Sequence, residues 1–134
     1  MRNLKRAVVT VLTVVSLTTS GTPAYAADTT TTRTCGGWTC SVYYSRAATA
    51  DIDNYLQGHD VQQVEVMKKT FCKRFGRVGS MSCKALKFGD WNVRRIIHHA
   101  ATTNGCVRFR TPRGAAYLPG PVYSDHSRIC RSMG

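Results

Sequence analysis

The sequence predicts a small α+β domain stapled by disulfides, with two or three helices against a short antiparallel sheet. Three observations carry this. Six cysteines, an even number, all lie behind an N-terminus of export type. Apolar residues recur at helical spacing in three stretches, each opened by a side chain suited to capping. Short runs at Ser41–Tyr44 and Cys106–Arg110 read as strands, the second one by its alternation.

Residues 1–26 have the three parts of a signal peptide. Arg2, Lys5 and Arg6 make a basic start, Ala7 to Leu17 an apolar stretch, and Ala24-Tyr25-Ala26 a small-residue cleavage site. That stretch is well short of the ~20 apolar residues a spanning helix needs. No second one follows, so the mature chain is expected to be secreted, extracellular and without a membrane span. Removing 26 of the 134 residues leaves 108, and losing Arg2, Lys5 and Arg6 takes the net charge from +12 to +9. That length makes one domain. Charged residues at 19% against hydrophobic ones at 43% exclude a disordered tail. The expected organisation is a signal peptide over 1–26, an extended arm over 27–34 and a disulfide-stabilised domain over 35–134.

In an oxidising compartment Cys35, Cys40, Cys72, Cys83, Cys106 and Cys130 favour three disulfides. Six cysteines allow about 15 pairings, and spacing does not choose among them. Cys35–Cys40 would clasp Gly36-Gly37-Trp38, Cys72–Cys83 would tie a helix to its following loop, and Cys106–Cys130 would tie a strand to the C-terminus. Each bridge would add ~2–4 kcal/mol. Zinc is the rival reading, but there is no C-x2-C pair and the four histidines lack ligand spacing. No metal and no cofactor are expected.

The elements follow in order. Residues 27–34 are a polar arm rich in threonine, whose β-branch favours extended backbone. It reads as a frayed terminus, or as a strand that pairs with a partner's sheet edge or lies in a cleft, with Arg33 its charged anchor. After the strand at Ser41–Tyr44, Ser45 or Thr49 caps a helix carrying Ala48, Ile52, Tyr55 and Leu56, and Gly58 suits its end. Asp60 caps a second, with Gln63 completing a box. Its stripe is Val64, Met67, Phe71 and Phe75, with Lys68, Lys69, Lys73 and Arg74 crowding its last turns and Gly76 ending it. Residues 76–89, with Gly76, Gly79, Ser80, Ser82 and Gly89, read as a loop. Asp90 caps a third helix that buries Val93, Ile96, Ile97, Ala100 and Ala101 and stops at Asn104-Gly105. Cys106 to Arg110 alternates, with Val107 and Phe109 on one side. A turn at Pro112 to Gly114 follows, then two candidate strands, Ala115 to Leu118 and Val122-Tyr123.

Catalytic signals are weak. His98 and His99 are neighbours on one helix, about 100° apart, and cannot face one another. His126 would have to join one of them across space for general acid–base work. Asp51 and Asp53 diverge, Glu65 is the single glutamate, and no pair of carboxylates is selected. Asp125-His126-Ser127 has triad residue types, but triads converge from separated segments. No catalytic residue is assigned, and the chain reads as a non-enzyme.

Charge is the stronger feature. Arg94 and Arg95, Arg108, Arg110 and Arg113, and Arg128 and Arg131 crowd the C-terminal part. Arginine suits planar carboxylates and phosphates. Nucleic acid is disfavoured, because single strands call for aromatics interleaved along a basic groove and Phe109 belongs to the core side. Other secreted proteins are the expected partners, with Arg94, Arg95, Arg108 and Arg110 as contacts. The plain alternative is a basic surface without one defined partner. A secreted cationic ribonuclease-like toxin and a stand-alone antimicrobial protein are the competing classes.

Three segments carry a resemblance: Cys40-Ser41-Val42-Tyr43-Tyr44-Ser45-Arg46, Ala48-Thr49-x-x-Ile52-Asp53, and His99-Ala100-Ala101-x-x-Asn104-Gly105-Cys106-Val107-Arg108. With these the chain resembles small exported cysteine-rich proteins of high-GC Gram-positive bacteria, most of all the adapter subunits of secreted umbrella toxin particles. The resemblance implies a bridge between a lectin subunit bearing a degenerate trypsin-like domain and a large toxin-carrying stalk protein, in bacterial competition. It would send Thr29, Thr30, Thr31, Thr32 and Arg33 into the lectin subunit's cleft and turn the basic face to the stalk.

Overall fold

In the computed structural model, which describes residues 30–115, 118 and 120–133, a four-stranded antiparallel sheet is backed on one face by helices. The strands are β1 (Thr31–Cys35), β2 (Thr39–Tyr44), β3 (Cys106–Pro112) and β4 (Val122–Asp125), and they lie side by side in that order. Between β2 and β3 run α1 (Arg46–Gln57), α2 (Val61–Cys72), a 3-10 turn (Lys73–Phe75), α3 (Gly76–Ala85) and α4 (Trp91–Thr102). A short α5 (Arg128–Ser132) closes the chain. The α+β class and the antiparallel sheet agree with the sequence. The signal peptide, Thr29 of the arm, and Ala116 and Tyr117 of the strand expected at Ala115 to Leu118 lie outside the described residues, as does Pro119.

The capping signals act as expected. Ser45 Oγ accepts the Ala48 amide at 3.0 Å. Asp60 and Gln63 form a reciprocal box, at 2.8 and 3.2 Å. Asp90 accepts the Asn92 amide at 2.8 Å. α4 stops because Asn104 takes a left-handed φ of 59° and the Gly105 amide turns back to the Ala100 carbonyl at 2.7 Å.

One face of the sheet presents Val42, Tyr44, Val107, Phe109 and Val122 to Ile52, Leu56, Val64, Phe71, Phe75, Leu86, Phe88, Ile97 and Ala100. The rings interlock. Tyr55 stacks on Phe71 at 4.0 Å, and Phe75 meets Phe71 and Tyr44 edge-on at 5.5 and 5.4 Å. Each buried phenol finds an acceptor, Tyr44 at the Gly79 carbonyl and Tyr55 at the Val64 carbonyl. The buried Thr49 hydroxyl accepts the Val107 amide and donates to the Tyr44 carbonyl, stitching β3 to the start of α1.

Four expectations are corrected. Residues 76–85 are a helix, α3, not a loop, so four helices of ten to twelve residues back the sheet instead of two or three. Its glycines have other reasons. Gly76 has φ of 76°, which lets the chain turn out of α2. A Cβ on Gly79 would stand 2.6 Å from the Thr31 methyl, so the glycine lets α3 press against β1. Second, Met67 stays exposed, because Phe71 and Phe75 already fill the space behind α2. Third, the arm is extended as expected, but from Thr31 it pairs with the chain's own β2 and is neither frayed nor detached. Fourth, the second late strand covers Val122–Asp125, two residues longer than expected, because its pairing with β3 continues to Cys106.

All six cysteines are paired. Cys35–Cys40 closes the β1–β2 hairpin, Cys72–Cys83 joins the end of α2 to α3, and Cys106–Cys130 holds α5 to the sheet. Cys106 alternates with core-facing Val107, so this last bridge sets α5 on the outer face. Among the described residues no helix is long and apolar enough to cross a membrane.

Candidate protein-interaction surface

Among the described residues, the most exposed large apolar side chain stands at the β1–β2 hairpin. Gly36-Gly37-Trp38-Thr39 cross between the bonded Cys35 and Cys40, and the Gly36 amide donates to the Thr39 carbonyl at 2.8 Å. Trp38 is 89% exposed. Three arginines brace the tip, Arg33 from β1 and Arg110 and Arg113 from the end of β3 and the turn after it. Arg113 donates from its amide to the Trp38 carbonyl at 2.9 Å and from its guanidinium to the Gly36 carbonyl at 3.2 Å. Arg110 reaches the Thr39 hydroxyl at 3.3 Å, and Arg33 lies 3.4 Å from the Cys40 sulfur. Trp and Arg are among the residue types enriched where protein-binding energy concentrates, and this cross-linked tip carries an exposed indole on a backbone that arginines brace.

β1 is an edge of the sheet. Bonds from Ser45 to the Thr30 carbonyl (2.9 Å) and from Gly36 to the Thr39 carbonyl fix the alternation along the pair. The backbone groups of Thr31, Arg33 and Cys35 therefore face away from β2. An extended partner segment adds to such an edge through main-chain hydrogen bonds.

The other expected contact residues are dispersed. Thr30, Thr31 and Thr32 are half-buried, with the Thr31 methyl against α3. Arg94 is also half-buried and donates to the Leu56 carbonyl at 2.8 Å, bracing α4 against α1. Arg108 lies in a cross-strand row between Tyr43 and Tyr123, 6.0 and 4.9 Å from their rings, with Asp125 at 4.0 Å. Arg95 and Arg110 are exposed. Arg108 and Arg110 thus share the outer face of β3, opposite the core-facing Val107 and Phe109, while Arg94 and Arg95 lie on α4.

The histidines are better ordered than their spacing indicates. His98 Nδ1 lies 3.1 Å from both oxygens of Asp53, a carboxylate only 7% exposed. Asp51 and Asp53 do diverge, but the divergence turns Asp53 inward to α4. A pair separated by 45 positions leaves no local signal. His99 and His126 stand 6.5 Å apart, ring to ring, and His126 Nε2 bonds the Thr103 hydroxyl at 2.8 Å. Asp125 accepts the Ser127 amide and hydroxyl, at 3.1 and 2.6 Å, so Asp125-His126-Ser127 forms a local turn into α5 with His126 directed elsewhere. Two clefts flank α4. One, of about 410 Å3, is lined by Gln57, Trp91, Arg94, Arg95 and His98. The other, of about 440 Å3, is lined by Arg95, Ile96, His99 and β4.

Compared with protein-family models, curated proteins and solved structures, the chain matches none.

Proposed function

We propose that this protein is an exported, non-enzymatic docking module, an adapter within a secreted antibacterial toxin complex. The observation that carries the reading is Trp38, almost fully exposed on a tip fixed by Cys35–Cys40 and braced through Thr39, Cys40 and Gly36 by Arg110, Arg33 and Arg113. A cross-linked tip loses little freedom on binding, which leaves more of the contact energy as affinity. Three disulfides suit an oxidising compartment and agree with the export signal. In the adapter reading the lectin subunit's cleft takes the edge strand β1 with the hairpin, and the stalk protein meets a separate basic surface.

The test is affinity capture of exported partners from culture supernatant, followed by mass spectrometry, with wild type and Trp38→Ala side by side. The variant is expected to lose one partner and keep its fold. Capture of every partner by Trp38→Ala overturns the reading. The rival, a cationic ribonuclease, draws support from the approach of His99 and His126. It predicts RNA cleavage by the purified chain, abolished by His99→Ala or His126→Ala.

A further inference from the structure

The sequence holds two tryptophans, and both are exposed, Trp38 at 89% and Trp91 at 74%. Each stands among arginines, but the two settings share no residue. We infer that the groove between α1 and α4 is a second recognition site, which takes an acidic side chain and a neighbouring apolar one from a partner protein. The inference rests on the docking reading and gives its second contact a place and a chemistry.

The groove is built from groups that divide the work. Arg94 is anchored to the Leu56 carbonyl, so its charge is held at the wall. His98 is oriented through Nδ1 by Asp53, which leaves Nε2 as its remaining polar atom. Asp53 itself is buried behind His98 and also takes the Gln57 amide group at 3.5 Å, so among the described residues no carboxylate lines the groove. Arg95 is exposed and, among the described residues, has no hydrogen-bond or ion-pair partner. Its planar guanidinium matches a carboxylate bidentately. Trp91 supplies an apolar wall at the first turn of α4. Cationic walls without an acidic counterpart call for an acidic occupant, and the indole calls for an apolar side chain beside it. A nucleic-acid strand would need a succession of aromatic platforms, and this groove has one.

The probe is acetyl-Glu-Leu-Glu-amide, compared with acetyl-Gln-Leu-Gln-amide and a short oligouridine. Each is titrated into the Trp38→Phe protein, so that Trp91 is the remaining tryptophan and its emission reports the groove. The acidic peptide is expected to shift that emission saturably and to bind at least about ten-fold tighter than the glutamine peptide. Arg95→Glu is expected to remove the response with melting unchanged. Equal affinity for the two peptides, tighter binding of the oligouridine, or an undiminished response in Arg95→Glu overturns the inference. Amide shifts in NMR spectra locate the peptide without any groove variant. They are expected at Gln57 and His98, and shifts confined to other regions overturn the assignment. If the groove ignores the peptide while Trp38→Ala still loses a partner, this inference alone fails; if Trp38→Ala loses none, the docking reading fails.

Discussion

The α2–α3 unit and the β1–β2 hairpin are each closed by a short-range disulfide, and each carries aromatic side chains. In the first, Phe71 and Phe75 are 7% and 3% exposed and locked with Tyr44 and Tyr55. In the second, Trp38 is 89% exposed and touches no core ring. The same covalent device does different work in the two places. Cys72–Cys83 reinforces a region whose shape burial already fixes. Cys35–Cys40 fixes a tip with little burial of its own, where order otherwise comes from hairpin pairing and arginine contacts. Stability and recognition are thus divided between two stapled regions of one small chain.

The largest expected effect is in the core. Phe75→Ala removes the edge contacts to Phe71 and Tyr44 and is expected to cost ~3–5 kcal/mol. A denaturation curve measures it, and partner capture should fall only in step with unfolding. Binding lost at full native population would blur the division. Replacing Cys72 and Cys83 together by alanine is expected to cost ~2–4 kcal/mol. The same replacement of Cys35 and Cys40 opens a shorter loop and should cost less stability, while weakening capture more. An opposite ranking in thermal melts and binding would break the comparison.

Trp38→Ala sharpens it from the other side. Melting should move by no more than ~0.5 kcal/mol, and affinity for the hairpin partner should fall by ~2 kcal/mol or more. Calorimetry on the captured partner gives the second figure. The smallest effect is alkaline. Burial pushes the Tyr44 hydroxyl up, and burial, then the negative charge of Glu65, push the Tyr55 hydroxyl up. Below the ordinary tyrosine value near 10 both states keep these protons, and the contribution is complete. Above it the unfolded chain ionises first, so stability falls as pH rises. Tyr55→Phe should flatten that fall; a slope unchanged between pH 9 and 12, roughly the window around that value, would remove Tyr55 from the account.

Much of the fold is legible because its signals are local. Ser45, Asp60 with Gln63, and Asp90 each act within three residues of themselves. Asn104-Gly105 stops α4 through a five-residue loop of backbone. Helix α3 was hidden because its glycines are there for a close approach to β1, and only the packed pair shows that purpose. For the candidate surface, the sequence points to arginines and to Arg33, but it does not single out Trp38. An exposed and a buried tryptophan look alike until the surrounding chain is folded.

By itself the sequence determined the α+β class, the starts of α1, α2 and α4, the strands at β2 and β3 and the set of six cysteines, because these depend on side chains within a turn or two of each other. Tertiary structure alone decided which disulfides form, that the threonine arm becomes an edge strand, and that Asp53 meets His98 while the distant Arg110 and Arg113 reach the β1–β2 hairpin. Those contacts join residues up to 77 positions apart. Their geometry follows from how the helices and sheet share one core, and spacing along the chain does not encode it.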